Sequence, residues 1–399
     1  MNIFDRVDAV PLDPLMASFQ AFNEDRRGDK INLGIGMYHD EDGQIPTLKA
    51  VASARRFLQQ HEDSGGYLMA DGLPAFREAA ARLLFGAALH AGLGGRVVTV
   101  QSLGGTGALT LAASLLRSAG LCGSIAISAP TWANHRVVFN AAGLSCIEYP
   151  YFDPLTGGVD WPAMHDSIKR LTPKNILLLH ACCHNPTGAD LTTAQWEILV
   201  QTVQERELPV IFDVAYASFA EGIADDVYPI RLFAERGIPV FAALSFSKSF
   251  SLYGERIGAL SVVGTSPHQT GKIAAQLRTL IRASYSSPPR HGAAIVASIL
   301  NTPALYAEWI EELAFMRLRI RQMREGLAMR LIARAGHNVS RLLTQRGLFA
   351  FSGLTPEQIL RLRDEHAIYG VSDGRLCMAA LRYATLDRVA TGINAVAGG

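Results

Sequence analysis

Residues 209–256 read PVIFDVAYASFAEGIADDVYPIRLFAERGIPVFAALSFSKSFSLYGER, and the fold follows from them. Two short apolar runs, PVIFDVAY at 209–216 and PVFAALSF at 239–246, flank a longer helix-like segment. Runs of this kind suit strands buried on both faces, joined by the crossover helix that parallel neighbours need. RVVTVQSL at 96–103, SIAISAP at 124–130 and NILLLHACC at 175–183 repeat the pattern. The chain therefore reads as α/β, with a large domain whose mostly parallel sheet is sandwiched by helices. From about Ala304 to Arg334, apolar residues recur at three- and four-residue spacing and predict a long helix leading out of the sheet. After it, GLFAFSGL, AIYGVSDG and RLCMAAL predict short strands, which close the chain in a smaller α+β domain. At 399 residues the chain exceeds what one hydrophobic core usually serves, in keeping with two unequal domains.

The bulk properties remove several classes of function. Hydrophobic residues at 49%, charged residues at 18% and 36 glycines describe a folded α/β enzyme and not a disordered or fibrous chain. Thirty-seven basic against 36 acidic residues leave a net charge of +1, with no field to draw nucleic acid or an anionic membrane, so a small molecule is the expected partner. Cys122, Cys146, Cys182, Cys183 and Cys377 are odd in number and form no CxxC pair, which suits reduced thiols in a cytoplasm. The opening MNIFDRVDAV has no basic cluster and apolar run of a signal peptide, and no apolar stretch reaches 18 residues. A cytoplasmic protein, neither exported nor embedded, is expected, and no metal.

Open α/β sheets place ligands at the C-terminal ends of their strands, so the residues there are the candidates. Gly104-Gly105-Thr106-Gly107 follows RVVTVQSL and opens a helical segment, where backbone N–H groups can meet a phosphate; taken alone, plain turn chemistry is the commoner reading of such a stretch. Lys248 follows an apolar run and has Ser245, Ser247 and Arg256 nearby: an amine beside anion-binding groups, or a snorkelling lysine. Asp213 ends a β-branched run, where a carboxylate needs a cationic partner such as a pyridinium nitrogen, or else caps the next helix. Tyr216 either places its phenol beside that ring or packs. Asn185, on a Pro-Gly turn, donates to a phenolic oxygen or forms an Asx turn. Trp132, with His135 three residues on, stacks on a flat ring or serves the core. Each residue alone is ambiguous. Together they supply what pyridoxal phosphate needs: an amine, a phosphate cradle, a ring counter-ion, phenolate donors and a stacking face.

At these residues the sequence resembles the aspartate and aromatic-amino-acid aminotransferases, fold type I of the pyridoxal phosphate enzymes. The resemblance runs nearly end to end through NLGIGMYHDEDG, YLMADGLPAFREA, VQSLGGTGAL, PTWANH, CCHNPTGADLT, FDVAY, SFSKSFSLYGERIG, RASYSSPP and GRLCMAAL. It implies that Lys248 carries the cofactor, that Asp213, supported by His135, pairs with the ring nitrogen, and that Asn185 and Tyr216 hold the phenolic oxygen. It further implies stacking by Trp132 and a phosphate held by Gly105, Thr106, Ser245 and Arg256. A homodimer with shared sites is implied, Tyr67 reaching the neighbouring subunit's phosphate. Arg375, near Gly36, would grip the substrate α-carboxylate beside Trp132 and Asn185, and Arg282 would cross the dimer interface to a side-chain carboxylate. The implied division is an arm at 1–12, a large domain at 46–313, and a small domain from 13–45 and 314–399.

The implied reaction is ping-pong transfer of an amino group between an aromatic, or dicarboxylic, L-amino acid and 2-oxoglutarate. Ile45, Ser287 and the stretches EDGQIP, FSLYGER and SYSSPP resemble the bacterial aromatic branch, whereas Thr106 and LGIG resemble the aspartate branch. Met37, His39 and Gly66 depart from both branches and are expected at the pocket entrance. Asp373, two residues before Arg375, is either solvated or tunes the pocket for a cationic amino acid. An aspartate aminotransferase and a specialised biosynthetic aminotransferase thus stand as alternatives. A fold type I lyase would share the cradle but has no need of Arg282, and a ligand sensor fused to a DNA-binding domain is at odds with the neutral charge.

Overall fold

The computed structural model describes residues 2–8, 13–61, 65–121, 123–331 and 340–398. Its strands are β1 (Ile31–Asn32), β2 (Val97–Leu103), β3 (Ser124–Ala129), β4 (Ser145–Pro150), β5 (Ile176–His180), β6 (Val210–Val214), β7 (Val240–Ser245), β8 (Ile257–Val263), β9 (Phe349–Phe351), β10 (Ile368–Tyr369) and β11 (Arg375–Cys377). Seven form the main sheet in the order β2-β8-β7-β6-β5-β3-β4. Only β8 runs against its neighbours β2 and β7; the other pairings are parallel. Every residue of β5, β6, β7 and β8 is buried, which explains why they are written as unbroken apolar runs.

Helices Gly104–Ser118, Asn134–Ala141, Trp161–Ile168, Thr193–Glu205 and Tyr228–Glu235 make the successive crossovers. Between β7 and β8 there is none: the antiparallel neighbour lets the chain turn straight back, so the loop 246–256 stays at the C-terminal end of the parallel strands. Lys248 sits on this loop. Its position is fixed from below, because the buried Trp309 donates its indole N–H to Ser249 O at 2.7 Å and stacks on Phe250 at 4.5 Å. Each of these aromatic side chains withdraws area worth about 2–3 kcal/mol from water.

Trp309 belongs to the long helix, Pro303–Arg330, which begins where the spacing predicts; the end of the expected helix, 332–334, lies outside the described residues. Beyond it, β9 pairs with β11 antiparallel, while β10 pairs in parallel with β1 from near the start of the chain. Among the described residues, no single helix is long and apolar enough to cross a membrane.

Candidate active site

A cavity of about 280 Å³ opens at the C-terminal ends of β6 and β7, bounded by the start of helix Gly104–Ser118 and by β9 and β11. Gly36, Gly105, Thr106, Trp132, Asn185, Asp213, Tyr216, Ser245, Lys248, Arg256 and Arg375 all line it. Wider cavities of about 590 and 710 Å³ exist elsewhere, but neither contains this amine and carboxylate.

Asp213 lies in β6, next to β7, and is buried. Burial alone would raise its carboxyl, but the hydrogen bond and charge of His135, with His180 and Lys248 adding theirs, hold it below the usual carboxylate range. The His135 contact is Nε2 to Oδ2 at 3.0 Å, and the other ring nitrogen meets Thr131 Oγ1 at 2.8 Å, so the imidazole is clamped at both ends. His180 stands 3.9 Å from the same oxygen, with no hydrogen bond at that nitrogen among the described residues, and burial takes its pKa down to about 3 against the opposing charge of Asp213. Desolvation also lowers Lys248, to about 8, with Arg256 acting in the same direction and Asp213 opposing. Its ammonium lies 4.9 Å above the Tyr216 ring. Tyr216 is buried and its phenol is pushed upward by that burial; its oxygen accepts from Asn185 Nδ2 at 3.4 Å.

The chemistry of an anion site is assembled beside Lys248. Arg256, in the left-handed region at φ 54°, donates to Ser247 Oγ at 3.3 Å and to Tyr253 O at 3.0 Å, and forms no ion pair among the described residues. Ser247 N–H donates to Ser245 Oγ at 3.4 Å. Opposite, helix Gly104–Ser118 begins with N–H groups that have no side-chain cap. Gly104, at φ 67°, takes a conformation that side chains strain, and a Cβ there would meet Arg256 Nη2 at 2.6 Å; at Gly105 a Cβ would come within 3.2 Å of Ser245 Cβ. An unpaired guanidinium, hydroxyls and a helix N-terminus converge as a dianion needs. The residues present thus fit pyridoxal phosphate: an anion cradle that would suit its phosphate, a carboxylate and an indole that would suit its ring, and an amine.

Arg375 leaves β11 and enters the cavity from another sheet. Its Nη1 donates to Asn185 Oδ1 at 2.7 Å, its face lies 4.5 Å from the Phe349 ring, and its buried Nε has no partner among the described residues. A Cβ at Gly36 would collide with Phe349 Cζ, so glycine is what lets this ring close on the guanidinium. A buried donor aimed into a cavity and lacking an acceptor is costly unless a ligand supplies one.

Two predicted residues lie away from the cavity: Tyr67 is 98% exposed, and Arg282 is exposed with Nη1 on its neighbour Ser286 Oγ at 2.5 Å. His135 stands behind Asp213 and does not line the cavity. Met37, His39 and Gly66, expected at the entrance, do not line it, nor do Ile45 and Ser287. Asp373 is exposed and accepts the Arg375 backbone N–H at 2.9 Å, which makes it a turn residue with no place in the pocket. Leu15, Ile35, Tyr253 and Phe349 line the cavity without having been singled out. The acid beside Cys182 and Cys183, Asp226, is occupied by the backbone N–H groups of Ser218, Ala220, Glu221 and Gly222.

The family model for aminotransferase class I and II matches residues 28–393. An aspartate aminotransferase of Pseudomonas aeruginosa is 43% identical over 394 residues, covering 98% of this chain and 99% of that protein. An aromatic-amino-acid aminotransferase of Escherichia coli is 43% identical over 396 residues, covering 99% of this chain and 100% of that protein. Among solved structures, the aromatic-amino-acid aminotransferase of Burkholderia pseudomallei, covalently bound to pyridoxal phosphate, matches with a TM-score of 0.95 at 46% identity, over 99% of this chain and 100% of the other.

Proposed function

Since the chain belongs to the class I and II aminotransferases, we propose that it uses pyridoxal phosphate to move the amino group between an aromatic or dicarboxylic L-amino acid and 2-oxoglutarate. The observation that carries this reading is the sharing of one cavity by Lys248, Asp213, an unpaired Arg256 and the unpartnered Nε of Arg375.

When bound, the cofactor supplies a carbonyl carbon that links to amines and a ring that accepts the electron pair of the breaking Cα–H bond. Lys248 would carry it on Nζ and, once freed by the incoming amino group, the same Nζ would take the substrate α-proton and return it to the cofactor's carbonyl-derived carbon. A pKa of about 8 leaves a useful neutral fraction of this amine near neutral pH. Asp213 stays ionised, oriented by His135, and holds a proton on the ring nitrogen. Asn185 and Tyr216 hold the phenolic oxygen, Trp132 covers the ring face, and Gly105, Thr106, Ser245 and Arg256 hold the phosphate. Arg375 grips the α-carboxylate through its fork, with Gly36 giving room and Asn185 and Trp132 alongside. The oxo acid product leaves before the second substrate enters, giving ping-pong kinetics.

Tyr67 and Arg282 act in a homodimer: Tyr67 on the neighbouring subunit's phosphate, Arg282 on the side-chain carboxylate of a substrate held there. Their exposure in the single chain supports this part of the proposal. The small domain is proposed as 13–45 with 314–399, a division supported by the β1–β10 pairing, next to a large domain at 46–313 and an arm at 1–12 that is only partly within the described residues. The proposed setting is the cytoplasm, in keeping with the free thiols of Cys146, Cys182, Cys183 and Cys377.

The test is a half-reaction panel, in which purified holoenzyme meets one amino acid at a time and the absorbance of the bound cofactor is followed. Rapid conversion by tyrosine, phenylalanine and glutamate is expected. Conversion by aspartate and glutamate alone would replace the aromatic reading with the aspartate one, and silence from all of them would sink both.

A further inference from the structure

A second recognition site is built where helix Pro74–Gly92 breaks. At Gly86 the backbone turns to φ 71°, which interrupts the helical ladder and frees carbonyls of the preceding turn. Arg231, from helix Tyr228–Glu235, takes up two of them: its Nε donates to Leu84 O at 2.8 Å and its Nη2 to Leu83 O at 3.3 Å. Its Nη1 has no hydrogen bond, and the guanidinium has no ion pair, among the described residues. Gly86 is a neighbour that adds no side chain here; a Cβ there would stand 3.7 Å from Cζ.

This half-buried guanidinium lines an open groove of about 710 Å³. Tyr306 lines the same groove, half-buried, and its hydroxyl also has no hydrogen bond among the described residues. Arg231 and Tyr306 are close enough to shift one another: burial raises the phenol and the guanidinium charge opposes that, while burial lowers Arg231 against the opposing charges of Tyr306, Glu235 and Asp225. Leu83, Leu300 and Ile310 supply apolar walls. The charges of Glu235 and Asp225 favour the cation without bonding to it, so the open edge of the Arg231 fork beside a phenol is shaped for a carboxylate. We propose that this groove binds a small carboxylate with an apolar body, gripped by Arg231 and Tyr306. No residue lines both this groove and the catalytic cavity. Asp225, exposed on the same groove and without an ion pair among the described residues, can accept an ammonium. An apolar amino acid and its 2-oxo acid therefore share the required chemistry.

The probe is 3-phenylpropionate, which has no amine to transfer, titrated calorimetrically into the holoenzyme. Two sites per chain are expected, one at Arg375 and one in the groove. Arg375→Ala should leave the groove site alone. Ala87→Trp should leave only the catalytic one, because Ala87 lines the groove and its indole would fill it without touching the bonds of Arg231 to Leu83 and Leu84. Arg231→Lys, which keeps the charge but loses the fork, should weaken the groove site about tenfold. One site per chain, abolished by Arg375→Ala, overturns the proposal, and so does two-site binding by Ala87→Trp. In the Arg375→Ala chain, stronger displacement of the probe by L-phenylalanine than by phenylpyruvate assigns the ammonium to Asp225. The opposite order makes the oxo acid the ligand, and displacement by neither overturns the proposal. The half-reaction panel reads the catalytic cavity separately, so failure there is not failure here.

Discussion

The two ends of the catalytic cavity are built by different means. At the cofactor end, Asp213, Ser245 and Lys248 continue two adjacent buried strands, and the Lys248 loop is pinned by Trp309. At the carboxylate end, Arg375 arrives from a separate two-stranded sheet, and its hydrogen bond to Asn185 spans 190 positions in the chain. Phe349 and Gly36, from two further segments, complete that end. The first end is held by the sheet itself, whereas the second exists only where distant segments meet. Damage at the sheet end should therefore cost turnover for every substrate alike, and damage at the assembled end should cost affinity in a way that depends on the substrate.

Lys248→Ala is the severest test. Losing the group that carries the cofactor and moves the proton should lower turnover by about 10⁴-fold or more for aromatic and dicarboxylic substrates alike, measured by steady-state kinetics. Full activity would break the sheet-end assignment. Arg375→Ala should lower kcat/KM roughly 10²- to 10³-fold, since truncating one partner of a desolvated charge pair costs about 2–5 kcal/mol. The loss should fall mainly on KM, with the cofactor absorbance retained; a loss confined to kcat would mean that the two ends do not divide the work. Arg282→Ala sharpens the contrast further. Dicarboxylic substrates should lose roughly 10- to 200-fold in kcat/KM while phenylalanine changes little, and equal losses would remove Arg282 from substrate recognition.

The same division explains what could be read in the sequence. β2, β3, β5, β6 and β7 stood out because burial on both faces writes them as apolar runs, and the residues that follow them are the cofactor set. β8 escaped although IGALSVV is just as apolar, because it follows SLYGER with no crossover helix to announce it. β4, at the sheet edge and mostly exposed, has no pattern to read. AIYGVSDG suggested a short strand, and since its partner β1 has two residues, only Ile368 and Tyr369 pair. Leu15, Ile35 and Phe349 were not singled out: they are ordinary apolar residues whose meeting around one cavity is a tertiary event. Tyr253 had a weak signal inside SLYGER, and its hydroxyl turns out to accept the Tyr38 backbone N–H at 2.9 Å.

The smallest expected effect concerns the amine itself and is measured on the apoenzyme, where Lys248 is free to titrate. Burial sets its folded-state pKa at about 8, against roughly 10.4 in an unfolded chain. Below the lower value both states carry the proton, and the folded state bears the full penalty of a desolvated ammonium. Between the two values the unfolded chain still holds a proton that the folded chain has released, so stability must rise with pH across this window. Lys248→Met has no such group. The stability of the wild-type apoenzyme relative to Lys248→Met should therefore improve by on the order of 1–3 kcal/mol from about pH 8 to pH 10.4, read from urea unfolding at each pH. Groups that titrate in both chains cancel in the difference, which leaves Lys248 as its source. A difference that stays flat would show that the sheet end does not tune this amine, and the rigidity that sets it apart from the Arg375 end would then have no chemical consequence at Lys248.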